Sequence, residues 1–237
     1  YKIYFKMNLK LTFLLIIIST FTFAQDINQF DSEGKRHGVW KKNFEGTKQI
    51  RYQGTFEHGK EVGEFKFYKL VKKKSILTAT KLFNANDNSA EVKFLASNGK
   101  VISEGKMVGK LYVGKWVYYH NKSNKIMTLE NYNDKGELEG EKLVYYKEGE
   151  VAERANFVAG KQHGKSLWYS VKGVVLKEFM YDNGELHGIA KYYNPKAELL
   201  AEGKYERGKK IGVWKYYEDG KLTKETNFSA PKKKEKQ

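Results

Sequence analysis

The stretch Tyr205-Glu206-Arg207-Gly208-Lys209-Lys210-Ile211-Gly212-Val213-Trp214-Lys215-Tyr216-Tyr217 decides the fold of this chain. It reads aromatic, two variable residues, Gly, three variable residues, Gly, and then a segment in which Trp214 and Tyr216 alternate with Val213 and Lys215. Alternation at period two marks a half-buried strand; a helix would repeat its apolar positions every three or four residues. The same frame recurs at Tyr181 with Gly184 and Gly188, at Phe157 with Gly160 and Gly164, and at Tyr132 with Gly136 and Gly140. It recurs again at Phe56 with Gly59 and Gly63, after Met107 with Gly109 and Gly114, and at Phe30 with Gly34 and Gly38.

The second glycines fall at 38, 63, 114, 140, 164, 188 and 212, so the gap of 51 between two of them holds one degenerate unit, at 83–107. There the glycine pair gives way to Asn84-Ala85-Asn86-Asp87-Asn88-Ser89, while Asn98-Gly99 and the strand after it survive. Beyond each alternating strand comes a turn that often carries glycine, as at Gly46, Gly149, Gly173 and Gly220, and then a second strand running to the next aromatic. Each unit is therefore predicted to be a β-hairpin, joined to the next through the paired glycines. A lone hairpin is marginal in water, so neighbours must pair edge to edge. The expected fold is all-β: about eight hairpins over 25–229 in a single-layer, elongated antiparallel sheet.

Because neighbouring residues in a strand point to opposite faces, a second set of rings is expected behind the first: Tyr68, Tyr119, Tyr146, Tyr169, Tyr193 and Tyr217. These form the candidate binding face. They serve either to cover that face by cross-strand packing or as a row of half-exposed rings for flat or amphipathic ligands.

The frame aromatic, two variable, Gly-Lys, two variable, Gly resembles the MORN repeat, and more closely its bacterial variant, whose members include antitoxin-like proteins. The resemblance covers residues 30 to 228, and Gly54-Thr55-Phe56, Gly105-Lys106-Met107 and Gly203-Lys204-Tyr205 echo the Gly-x-aromatic start of the eukaryotic repeat. It implies a twisted single-layer sheet of successive hairpins and no common catalytic activity. Where the eukaryotic repeat has a further glycine soon after the second one, this chain has Trp40, Phe65, Trp116 and Trp214.

Residues 1–6 precede the first Met and read as upstream sequence. From Met7, one lysine and an apolar run of about 14 residues lead to Ala24 and then Gln25-Asp26, the pattern of a signal peptide over 7–24 and shorter than the roughly 20 residues that span a bilayer. The expected product is exported to periplasm, cell surface or medium, with a short basic tail at 230–237. Removing 1–24 takes three lysines and no acid from 44 basic and 28 acidic residues, which leaves a charge of +13. Lysines at 41, 66, 93, 115, 165, 191 and 215 keep a long open sheet soluble and discourage edge pairing; an anionic partner is the other reading. Nucleic acid is disfavoured by export.

The chain has no Cys, which excludes disulfides, thiolate metal sites and a cysteine nucleophile. No Gly-x-Ser-x-Gly, phosphate loop or His-Glu-x-x-His is present. His37, His163 and His187 each precede a second glycine, a repeat position that Val62, Glu139 and Ile211 fill elsewhere, so neither a metal nor a cofactor is expected. Glu104, Glu130, Glu153, Glu178, Glu202 and Glu225 recur in the returning strands, a regular slot without the enclosed cleft that paired catalytic carboxylates need. The expected function is a non-enzymatic scaffold for an envelope protein or other envelope component. A carbohydrate- or anionic-lipid-binding module and an antitoxin are the alternatives.

Overall fold

A computed structural model describes residues 26–229, so the expected leader and the basic tail lie outside the described residues. No helix occurs among them. They form one open antiparallel sheet of 19 strands that pair in chain order, two of the two-residue strands being passed by direct pairing of the strands on either side. The two-residue β1 (Gln29–Phe30) folds onto β2 (Arg36–Asn43), which pairs with β3 (Ile50–Glu57). Further hairpins are β4 (Lys60–Val71) with β5 (Lys74–Phe83), and β6 (Ser89–Leu95) with β7 (Val101–Val108). Next come β8 (Leu111–Tyr119) with β9 (Ile126–Tyr132), and β10 (Gly140–Tyr145) with β11 (Val151–Val158). Short β12 (Lys161–Gln162) and β15 (Glu185–Leu186) introduce the hairpins β13 (Gly164–Tyr169) with β14 (Val175–Asp182) and β16 (Gly188–Tyr193) with β17 (Leu199–Glu206). The last hairpin is β18 (Lys209–Glu218) with β19 (Lys221–Asn227).

The two glycines of the frame do different work. Arg207 and Gly208, at φ 48 and 76, are the central residues of a two-residue turn whose left-handed backbone matches the twist of the flanking strands. Gly212, at φ 61, sits in a bulge where the pairing of β17 with β18 slips between Glu202 and Lys204. The Trp214 indole N–H spans this irregularity and donates to the Lys204 carbonyl at 3.2 Å; Trp116 does the same to Lys106 at 2.9 Å.

The degenerate unit does not interrupt the sheet. Asn84 to Asn88 form a polar loop closed by the Asn84 N–H to Ser89 carbonyl bond at 2.9 Å, and β5 and β6 pair without a slip from Ala79 with Phe94 to Phe83 with Ala90. Glycine is also not obligatory at the tips. Lys72 and Lys73 turn the longest hairpin at φ 47 and 62, and Lys122 and Ala197 take left-handed positions in other tips.

Most buried side chains lie along one face, here the ring face, where two clusters gather Trp40, Phe56 and Phe65, and Ala90, Val92, Met107 and Trp116, and where Ser166 and Trp214 are buried farther along. Large and small residues alternate across the strands of this face. One cross-strand row runs Tyr52, Phe67, Ala79, Phe94, Ser103, Tyr118, Thr128, Val144. Beside it Trp116 lies flat over Gly105, and Trp214 over Gly203, whose added Cβ would fall 2.6 and 2.2 Å from ring carbons. Phe65 covers Gly54 in the same manner, with its ring at 2.4 Å. A backbone left bare by glycine thus receives a ring that no other residue would admit.

Candidate binding face

In four units the residue two before the second glycine lies against the residue two after it. Arg36 is 5.0 Å from the Trp40 ring and Lys210 is 3.9 Å from Trp214, both as cation–π contacts. Tyr112 stacks on Trp116 at 3.8 Å, and the Gln162 amide donates to the fully buried Ser166 hydroxyl at 2.7 Å. The ring face is therefore occupied by its own side chains. Its most polar spot, at the centre, is also closed on itself. Lys142 bridges Glu130 at 3.1 Å, Tyr132 donates to Glu130 at 2.6 Å, and the Tyr118 and Tyr132 hydroxyls are 3.4 Å apart. Burial first, and then the bond to Glu130, pushes the Tyr132 phenol far above its ordinary value. Such a phenol stays protonated and is no base at neutral pH.

The opposite face is built differently. A single cross-strand row crosses the sheet from Lys41 on β2 to Glu225 on β19, and none of its side chains is buried. Its first third is basic, with Gln53 and Thr80 between Lys41, Lys66 and Lys93. Its last third alternates as Glu178, Lys191, Glu202, Lys215, Glu225. The middle is apolar: Val117, Leu129 and Leu143 are successive partners, and Leu167 follows across Arg154. Arg154 turns aside to Glu141 at 3.3 Å. Periodicity alone predicted lysines here; the apolar interruption emerges only when the registers of β8 to β13 are combined.

Five of the six proposed ring positions keep the frame. Tyr68, Tyr119, Tyr193 and Tyr217 all pair with the residue that opens the returning strand or lies near its start, and Tyr169 joins them. In the unit of β10 that position is Tyr145, which pairs with Val151, whereas Tyr146 begins the tip turn and donates its phenol to the Tyr169 carbonyl at 2.7 Å. The rings of this row are half-buried. Tyr217 donates to Glu202 at 3.0 Å, and Tyr119 donates to Glu104. The bond to Glu104, with burial second, raises the Tyr119 phenol to about 12. These phenols are tethered by their tips.

The carboxylate slot also divides. Glu104, Glu178, Glu202 and Glu225 stand on the second face, but Glu130 and Glu153 fall one residue out of frame and turn to the ring face. His163 meets Asp182 at 3.4 Å. A grouping absent from the sequence expectations is Asp31, His37 and His58, whose donor atoms lie within 4.8 Å of one another. The signal was obscured because His58 precedes a first glycine, whereas His37 precedes a second.

Open depressions indent the second face behind the glycine seats. Behind Gly54 one of 250 Å³ is lined by Lys41, Gln53 and Lys66; behind Gly105 one of 270 Å³ is lined by Lys93, Glu104 and Val117. Behind Gly203 a third, of 300 Å³, is lined by Ile189, Glu202, Ile211 and Lys215. The absence of a side chain that admits a ring on one side leaves a recess framed by charged residues on the other.

The chain matches no family profile and no curated protein. Among solved structures, a point mutant of S. aureus TarM in complex with fondaparinux, alpha-GlcNAc-glycerol and UDP is similar to it at 14% identity and a TM-score of 0.20. That similarity covers 62% of this chain and 21% of the other, and it is too slight to bear on fold or function.

Proposed function

We propose that this protein is an exported, non-enzymatic scaffold of MORN-like hairpins whose second face binds another protein. The observation that carries this reading is the row from Lys41 to Glu225, with Val117, Leu129, Leu143 and Leu167 as an apolar centre between charged flanks. An apolar centre with a polar rim is the anatomy of a protein interface. The charged flanks set register and steer association more than they add affinity. Recesses spaced by the repeat suit an extended partner that touches several units.

The tethered phenols favour a protein over a glycan. Sugar-binding rings present a free flat face, whereas Tyr119 and Tyr217 are fixed to Glu104 and Glu202. The test is parallel capture from an envelope extract by the wild-type chain and by Leu129→Lys with Leu143→Lys. A stoichiometric protein retained at moderate salt by the wild type and lost by the variant, with β circular dichroism intact, supports the scaffold. Retention of only lipid or glycan, released by salt or free sugar, moves the assignment to the ligand-binding module. A neighbouring toxin held by an unprocessed cytosolic chain moves it to the antitoxin.

A further inference from the structure

We infer that Asp31, His37 and His58 form a binding site for one divalent transition-metal ion of the zinc class, which clamps the first hairpin to the second. The three come from separate places in the chain. Asp31 opens the loop between β1 and β2, His37 lies on β2, and His58 is the first central residue of the β3–β4 turn. Their donor atoms lie within 4.8 Å of one another, and the His37 and His58 rings are 5.1 Å apart.

The groups are positioned rather than loosely gathered. The Asp31 Oδ1 accepts the N–H groups of Glu33 at 2.9 Å and Lys35 at 2.8 Å, which leaves Oδ2 aimed at the His58 Nδ1 at 2.8 Å. The Gly59 N–H donates to the Arg36 carbonyl at 2.8 Å and pins the turn that bears His58 against the strand that bears His37. Ligands at 2.0–2.1 Å on a tetrahedral ion stand about 3.3 Å apart, so the Asp31–His58 contact has to open by only about half an ångström. Both imidazoles are exposed, so drawing them together displaces no buried packing. Two imidazoles and a carboxylate suit zinc, cobalt or nickel, with the remaining position left to water.

The cationic neighbours are engaged elsewhere: Lys35 pairs with Glu33 at 2.6 Å, Arg36 lies over Trp40 and Phe56, and Lys60 donates to the Ala85 carbonyl. The fold itself does not demand the three donors. In the unit at Tyr132 the same loop is built with Asn133, whose Oδ1 accepts the N–H groups of Lys135 and Glu137, both at 3.0 Å. There Glu139 replaces His37, and Ala159 at φ 47 replaces His58. Glu139 simply accepts the Ala159 N–H at 2.9 Å. The repeat thus carries its own copy of the loop without imidazoles, against which the first unit stands out.

The experiment is calorimetric titration of the untagged full chain with Zn²⁺, with the visible spectrum of Co²⁺ as a second probe. We expect one ion per chain, a tetrahedral-type Co²⁺ spectrum, and a rise in melting temperature with Zn²⁺. His37→Ala and His58→Ala should abolish all three responses, while His163→Ala leaves them unchanged. Asp31→Asn keeps the loop, as Asn133 demonstrates, and should weaken binding about tenfold or more. Absence of binding at micromolar Zn²⁺, or binding that survives His37→Ala and His58→Ala, or binding lost in His163→Ala, overturns the assignment.

Discussion

At Gly203 and Trp214 the slot between adjacent units holds bare backbone under an indole. Two units earlier, Ala155 and Ser166 share the corresponding slot, capped by Gln162; one unit before that, Glu130 and Lys142 fill it with an ion pair at 3.1 Å. Between these, Phe179 supplies the bulk and Ala190 yields it. What recurs along the sheet is therefore neither a residue nor a polarity but a pair of positions on neighbouring strands that trade size in most units, while the smaller pair Ala155 and Ser166 is completed by Gln162. A close-packed interior tolerates exchange of volume between contacting residues far better than a change in its sum.

The largest effect should come from filling a glycine seat. Gly203→Val places new carbons inside the Trp214 ring, which has no flexible end to move away, so the cost lies at or above the upper end of the roughly 1–3 kcal/mol typical of overpacking. Urea denaturation should register the loss, and hydrogen exchange should localise it to β17–β19; stability within error of wild type would show that the slot is not shared. Next, Ser166→Trp should destabilise by about 2 kcal/mol, and adding Ala155→Gly should recover at least half of that, a coupling readable in a double-mutant cycle. Additive behaviour would refute the exchange of volume.

A smaller effect is expected from Lys142→Met, which strands the Glu130 carboxylate on the ring face and should cost about 1–2 kcal/mol. Replacing both residues by Met should be close to neutral, since an apolar pair of similar volume fits this slot. The smallest is Tyr119→Phe. The folded Tyr119 phenol titrates near 12 against an ordinary 10, so its contribution is complete below pH 10 and fades as pH rises through 12. Ultraviolet titration should lose one delayed component near pH 12 in the variant, earlier than that of Tyr132, and the two proteins should converge in stability above pH 12. Equal titration curves would place the tether elsewhere.

Much of this architecture is legible in the sequence, because paired glycines and alternating rings are local signals. Gly208 and Gly212 announce a turn and a bulge within five residues of each other. Other features depend on register, which no single segment carries. Tyr146 stands beside Tyr145 in sequence, and only the pairing of Tyr145 with Val151 reveals which of them holds the row. Glu130 and Glu153 look like members of a series until a one-residue offset sends them to the other face, as period two requires. The apolar centre draws its residues from four strands of three hairpins, and the Asp31, His37 and His58 grouping joins two units across a turn. The seats at Gly54, Gly105 and Gly203 were visible as short Gly-x-aromatic signatures, but their purpose, a surface for the ring of the following strand, becomes clear only with the ring in place.

The order of the strands also has a mechanical consequence. The strands pair in chain order, with β11 to β13 and β14 to β16 passing only the two-residue strands β12 and β15, so the described chain begins at one margin of the sheet and ends at the other. Tension applied between the ends loads the inter-strand hydrogen bonds one pair at a time, in the manner of a zipper. The sheet should therefore yield at low force in successive steps, starting from a margin. Each whole unit of 24 residues, the spacing from Gly188 to Gly212, pays out about 80 Å of extended chain. A sheet built in this way should lengthen by stages under load while its remaining units stay folded.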